Sequence, residues 1–241
     1  MTLRLFVETP LAAAAELDLP PGPARHVQVR RLQPGDALCL FDGRGGEWAA
    51  AIVAMGRQKV RVRVGAHDPA GRELPFAVTL AVGMPANERM DTLVEKATEL
   101  GVAAIQPLVC ARSVLRLAGE RAERKREHWQ AVAAAASEQC GRTRVPRIGP
   151  VLALERWLQD LEADGARRLL LSPRDGALPL RGLPPVSGDW VALSGPEGGL
   201  TAEEEAAAVQ GGFVAVGLGP RVLRADTAPL ALLAWLALQR A

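Results

Sequence analysis

Two rhythms of hydrophobic residues divide the chain near residue 74. From Leu3 to Val64 the apolar runs are short and strand-like. Leu38-Cys39-Leu40-Phe41 meets Asp42-Gly43-Arg44-Gly45-Gly46, and Glu47-Trp48-Ala49-Ala50-Ala51-Ile52-Val53 resumes beyond it. Asp-Gly between two extended runs predicts a hairpin. Lys59-Val60-Arg61-Val62-Arg63-Val64 alternates strictly, so one face is apolar and the other carries Lys59, Arg61 and Arg63. Several short strands with turn signals predict a small β-barrel. The polar connection from Ala66 to Leu74 marks a boundary and divides the chain into domains 1–70 and 74–241.

Beyond Phe76 the period changes. Ala77 to Gly83, Ile105 to Val109 and Arg168 to Ser172 read as strands. Met90, Leu93, Val94, Ala97 and Leu100 share one helical face that Gly101 can close. Further helices are predicted at about Gly119 to Gln139 and Leu154 to Leu161. Pro229 to Leu238 reads as a buried helix. Strands alternating with helices imply an α/β fold with a mostly parallel sheet, covered on both faces.

Two glycine-rich loops stand out in this half. Trp190-Val191-Ala192-Leu193 breaks into Ser194-Gly195-Pro196-Glu197-Gly198-Gly199-Leu200-Thr201. Phe213-Val214-Ala215-Val216 breaks into Gly217-Leu218-Gly219-Pro220-Arg221-Val222-Leu223-Arg224-Ala225-Asp226-Thr227-Ala228. Each is a strand, a tight loop and a helix start. Thr201 and Glu204 form a capping box for the first helix, and Asp226 or Thr227 can cap the second. Backbone in such loops can approach a ligand closely. The third glycine of GxGxxG is missing and GxxxxGK[ST] is absent, so neither a dinucleotide fingerprint nor a P-loop is present.

Composition narrows the class. The 241 residues are 49% hydrophobic and 23% charged, which suits a globular chain with a sizeable core. Net charge is only +2, so nucleic-acid affinity would have to come from local patches. Leu3 to Val64 carries nine basic against six acidic residues. Cys39, Cys110 and Cys140 are scattered, and His26, His67 and His128 have no ligand spacing, so neither a disulfide framework nor a metal is expected. No secretory signal or membrane span is expected, and a reducing cytoplasm fits.

These residues match a known family. SGPEGGLTAEE followed by LGPRVLRADTA resembles the SPOUT methyltransferases, most closely the branch that methylates N3 of a uridine in 16S ribosomal RNA. ERMDTLVEKATELGVAAIQPL, CARSV, SEQCGRTRVPRI and HVQVRRL with PGD and FDG extend the match over nearly the whole chain. The family usually has lysine at Ala86 and Glu-Thr at Asp226-Thr227. The resemblance implies a C-terminal SPOUT α/β domain with a deep trefoil knot, preceded by a PUA-like β-barrel that grips RNA.

It further implies S-adenosylmethionine as methyl donor, held by Leu171, Ser172 and Pro173, by Gly195, Pro196, Glu197, Gly198 and Gly199, and by Leu218, Gly219, Arg221, Val222 and Leu223. Proton loss from uracil N3 needs a base or a site that stabilises the uridinate; an arginine near O2 or O4 would hold the charge, and a carboxylate or ordered water could accept the proton. Arg224 is the candidate for holding developing charge, and Glu197 or Asp226 for accepting the proton. Arg4, Arg25, His26, Arg30, Arg31, Arg112 and Arg142 are candidates for touching RNA. A cytoplasmic homodimer acting on the small ribosomal subunit is expected, with no membrane and no metal. The alternatives are a SPOUT enzyme for another RNA or base, and a non-catalytic ribosome-assembly factor.

Overall fold

The computed structural model describes residues 2–239 apart from 58, 70, 87, 163–164, 175 and 184–186. The domain limits read at 1, 70 and 241, and Asn87 beside Ala86, therefore lie outside the described residues. The chain forms two compact units, Met1–Glu73 with Ala134–Val145, and Leu74–Ala133 with Pro146–Ala241.

The first unit contains β1 (Leu3–Phe6), β2 (Glu16–Asp18), α1 (Pro21–Val29), β3 (Ala37–Phe41), β4 (Glu47–Met55) and β5 (Val60–Asp68). The strands lie in the order β1-β3-β4-β5-β2 around a core that includes Leu5, Val27, Leu40, Ile52 and Val62. The Asp42-Gly43 hairpin joins β3 and β4, with Leu40 opposite Trp48. Register shifts between β4 and β5 mark bulges, which bend a strand.

Helix α1 corrects the expectation of strands throughout this region. Proline at its first turn needs no N–H partner there, and Ala24 and Val27, one turn apart, are both buried. Nine residues are too few for that spacing to stand out in the sequence. The alternation in β5 does hold, since Val60, Val62 and Val64 are buried. Its arginines, however, face the acidic β2 strand: Arg61 pairs with Asp18 at 2.8 Å and Arg63 with Glu16 at 2.7 Å. Much of the expected basic face is thereby neutralised.

The second unit contains β6 (Val78–Gly83), α2 (Arg89–Glu99), β7 (Ala104–Val109) and the earlier turns of the long α3 (Gly119–Cys140). It continues with β8 (Arg147–Ile148), β9 (Leu152–Ala153), α4 (Leu154–Gln159), β10 (Arg167–Leu171), β11 (Leu178–Pro179), β12 (Trp190–Ser194), α5 (Ala202–Gln210), β13 (Val214–Gly217) and α6 (Thr227–Leu238). The sheet order is β11-β13-β10-β12-β6-β7-β8, with β9 also on β7. Every pairing among the described residues is parallel.

Strands buried on both faces need continuous apolar runs, and β12 is buried along its full length. Ala81, Val191, Leu193 and Leu170 pack with Trp157 of α4, Ala208 of α5 and Phe213. The Trp157 and Phe213 rings lie 5.9 Å apart. Helices α2 and α6 pack against each other, and α6 also lies on β6 and β12. α6 buries Leu232, Leu233 and Leu236.

The last turns of α3 belong to the first unit. There the Arg4 guanidinium donates to the carbonyls of Ser137, Glu138 and Arg142 and to the Glu47 carboxylate. Phe6 N–H donates to Glu138 at 2.8 Å. Arg142, 6% exposed, pairs with Glu73 at 2.6 Å.

Candidate functional site

Strands β13, β10 and β12 are parallel neighbours, so their carboxyl ends lie at the same edge of the sheet. The chain runs from β7 at one side of β6 to β10 at the other, and β12 then fills the place between β10 and β6. Such a reversal opens a crevice above the strand ends. The loops leaving β10, β12 and β13 enclose a cavity of about 510 Å³ there. Every residue read as cofactor-binding lines it, from Leu171, Ser172 and Pro173 through the Gly195–Gly199 loop to Leu218, Gly219, Arg221, Val222 and Leu223.

Local chemistry sets these loops. A Cβ on Gly83 would sit 2.5 Å from Pro196 N, so only glycine lets the end of β6 approach the β12 loop. Gly199 adopts φ +67°, a left-handed turn that glycine tolerates. Thr201 and Glu204 form the expected capping box at the start of α5. Glu204 does more than cap, because its second carboxylate oxygen accepts Ala111 N–H at 2.7 Å.

Arg112 supports the same loop. Its guanidinium donates to the carbonyls of Gly198 at 3.1 Å and Leu200 at 3.4 Å. A candidate for RNA contact thus lies against the glycine-rich loop and lines the cavity. Glu197 accepts Ala86 N–H at 2.9 Å through Oε1, so its carboxylate anchors the loop after β6. Arg224 also lines the cavity, exposed and without a side-chain partner among the described residues.

Asp226 is not in the lining. It immediately precedes α6 without capping it, and its buried Oδ1 has no hydrogen-bond partner. The structure therefore brings Arg224 and Glu197 to one cavity and leaves Asp226 outside it.

Four polar cavity residues escape the sequence reading: Arg89, Arg174, Ser194 and Glu205. Arg174 pairs with Glu205 at 3.1 Å. Ser194 is 3% exposed, and its Oγ has no partner. Only the order of strands in the sheet brings Arg89 into the wall; the sequence signal near it is the ERMD stretch, which fixes no position.

The other RNA candidates lie in the first unit and divide in two. Arg25 and His26 on α1, and Arg30 and Arg31 just after it, are exposed. His26 lies 3.8 Å from Glu138. Arg4 and Arg142 turn inward, where carbonyls, Glu47 and Glu73 take up their donors. Burial pushes the Cys110 thiol up to about 12, and the three cysteines are free. No metal-holding cluster occurs among the described residues, and no helix among them is long and apolar enough to cross a membrane.

Comparison with known proteins agrees with this geometry. A family model described as an RNA methyltransferase domain matches residues 72–237, and one described as an RNA methyltransferase PUA domain matches residues 24–65. A ribosomal RNA small subunit methyltransferase E from Bacillus subtilis is 34% identical, covering 85% of this chain and 82% of its own length. The solved structure of such an enzyme from Neisseria gonorrhoeae, bound to S-adenosyl methionine, superposes with TM-score 0.91 at 33% identity over 98% of this chain and 96% of its own. A putative methyltransferase from Legionella pneumophila with bound cofactor gives 0.92 at 32% identity over 98% and 97%. The chain belongs to the RNA methyltransferase family whose curated members are named ribosomal RNA small subunit methyltransferase E.

Proposed function

We propose that this protein transfers a methyl group from S-adenosylmethionine to N3 of a uridine in 16S ribosomal RNA. The observation that carries this is the cavity built by three loops at adjacent strand ends, in a chain whose solved relatives hold that donor. The cavity fits the donor: about 510 Å³ lies within the usual range for cofactor sites. Leu171, Leu218 and Leu223 can flank a flat adenine, while the main-chain groups of the glycine-bearing loops can read its edge. Ser194 Oγ, buried in this wall without a partner, suits a polar donor atom.

When bound, S-adenosylmethionine supplies an electrophilic methyl carbon whose bond to sulfur breaks as the new N–C bond forms. The loops hold and orient it, and positioning supplies much of the rate of an in-line displacement. Glu197 takes the N3 proton in this reading, supported by its second carboxylate oxygen, since among the described residues only Oε1 is engaged, by Ala86 N–H. Arg224, exposed at the rim, can hold negative charge on the acceptor. Asp226, outside the lining, serves less well as a base.

The α1 arginines would grip RNA phosphates, with residues 1–70 as the gripping domain and 74–241 as the catalytic one. The reading extends to a cytoplasmic homodimer with a trefoil-knotted C-terminal domain. Leu238, 73% exposed on the apolar α6, is consistent with a paired surface. Light scattering should give twice the 25.6 kDa chain mass; a monomer rejects the dimer. Unmodified small-subunit RNA incubated with the protein and donor should yield N3-methyluridine on nucleoside digestion. Any other product rejects this reaction.

A further inference from the structure

Arg89 and Glu197 line both the donor cavity and a second cleft beside it. Glu88, Asp91, Val114 and Lys125 form other parts of that cleft. The shared pair forms part of the wall of each space.

The charge on Arg89 is unspent. Among the arginines of the donor cavity, Arg112 is taken up by loop carbonyls and Arg174 by Glu205. Arg221 and Arg224 are exposed. Arg89 is half-buried, and its side chain has no hydrogen-bond or ion-pair partner among the described residues. It is also the first residue of α2, where backbone N–H groups carry partial positive charge and a cation is disfavoured. The acidic residue of that turn, Asp91, is already committed: it accepts Trp129 Nε1 at 3.0 Å and meets His128 Nε2 at 2.7 Å. A half-buried cation kept at the wrong end of a helix, facing an open cleft, is suited to an electron-rich ligand.

We propose that this cleft receives the acceptor base and that Arg89 donates to a uracil carbonyl oxygen flanking N3. The inference rests on the reaction assigned above and adds the acceptor site to it. Deprotonating N3 moves negative charge onto the two flanking oxygens, and a fixed guanidinium there stabilises that charge. The proton passes to Glu197, the N3 electron pair forms the N–C bond, and the pair of the broken C–S bond stays on sulfur.

The test measures Arg89→Ala and Arg89→Lys for single-turnover rate on small-subunit RNA against pH, and for S-adenosylmethionine affinity by calorimetry. Arg89→Ala should be about 100-fold slower near neutral pH with donor affinity retained. Its deficit should shrink as pH rises and solvent supplies the uridinate, and added guanidinium should restore part of the rate. Arg89→Lys should show a smaller deficit with the same trend, and its melting temperature reports folding independently. An unchanged rate overturns the proposal. So does lost donor affinity with an unaltered pH profile, which would place Arg89 on the donor. If the wild-type digest lacks N3-methyluridine, the reaction assigned above falls and takes the uracil pocket with it. If N3-methyluridine forms but the variant profiles match wild type, only the pocket falls.

Discussion

Arg112 and Gly198 hold each other in place: the guanidinium donates to the Gly198 carbonyl at 3.1 Å, and a Cβ on Gly198 would meet Arg112 Cβ at 3.0 Å. Arg112→Ala should therefore loosen the β12 loop and weaken donor binding by about tenfold, near 1.4 kcal/mol. The salt dependence of RNA binding should stay as in wild type. Calorimetry with the donor and RNA titrations at two salt concentrations separate these effects; the reverse pattern would return Arg112 to RNA.

The exposed α1 cations make the opposite prediction. Replacing Arg25, Arg30 and Arg31 with alanine should lower the slope of log affinity against log salt by about 0.7 to 0.9 for each phosphate no longer neutralised, with folding unchanged. Arg142→Ala should instead cost stability, about 3 kcal/mol, because it strips the mostly buried Glu73 carboxylate of its cation and leaves it only the Thr143 and Arg144 N–H donors. Denaturant titration reads the second effect, and a stable Arg142→Ala protein with weak RNA binding would contradict it.

Acid should act through Glu47. The Arg72 guanidinium, with burial opposing and Arg4 adding, holds its carboxyl below the ordinary 4.5. A depressed value stabilises the fold above 4.5, and this contribution is lost as pH falls through the lowered value. Glu47→Gln should thus cost about 2 kcal/mol near neutral pH, with the difference from wild type fading in acid. Glu138 works in the other sense: burial raises its carboxyl, so protonation relieves a desolvation cost as pH falls. Melting temperatures of both proteins from neutral to acid pH check the fading gap, and a constant gap contradicts it.

The capping box predicts a modest local effect. Thr201→Ala removes the acceptor of Glu204 N–H and should cost about 1 kcal/mol. Glu204→Ala should cost more, since Ala111 N–H loses its partner as well. Equal costs in thermal denaturation would show that the Ala111 bond contributes nothing.

Features of the fold set by local spacing were legible in the sequence. The apolar face of α2 and the Thr201–Glu204 cap follow from neighbouring residues, and the glycine loops announce close backbone approach. The nine-residue α1 was not legible, because short helices carry too little period. Nor was the insertion of β12 between β10 and β6, a long-range pairing with no local cause. That pairing order decides which side chains share a wall, so nothing around Arg89 in ERMD discloses its place there. Charge likewise says nothing of partners: Arg4, Arg112 and Arg142 read as candidates for touching RNA, and only tertiary structure gives them carbonyls and carboxylates to serve.

The first unit draws Ala134–Val145 from far along the chain, and this sets a timetable for synthesis. When the strands from Leu3 to Asp68 leave the ribosome, the Ser137, Glu138 and Arg142 carbonyls that Arg4 requires have not been made, nor has the carboxylate that receives Phe6 N–H. The N-terminal sheet must wait, incompletely bonded, until residue 145 has been made, so its final locking is post-dated to the appearance of the last turns of α3 and the residues that follow them.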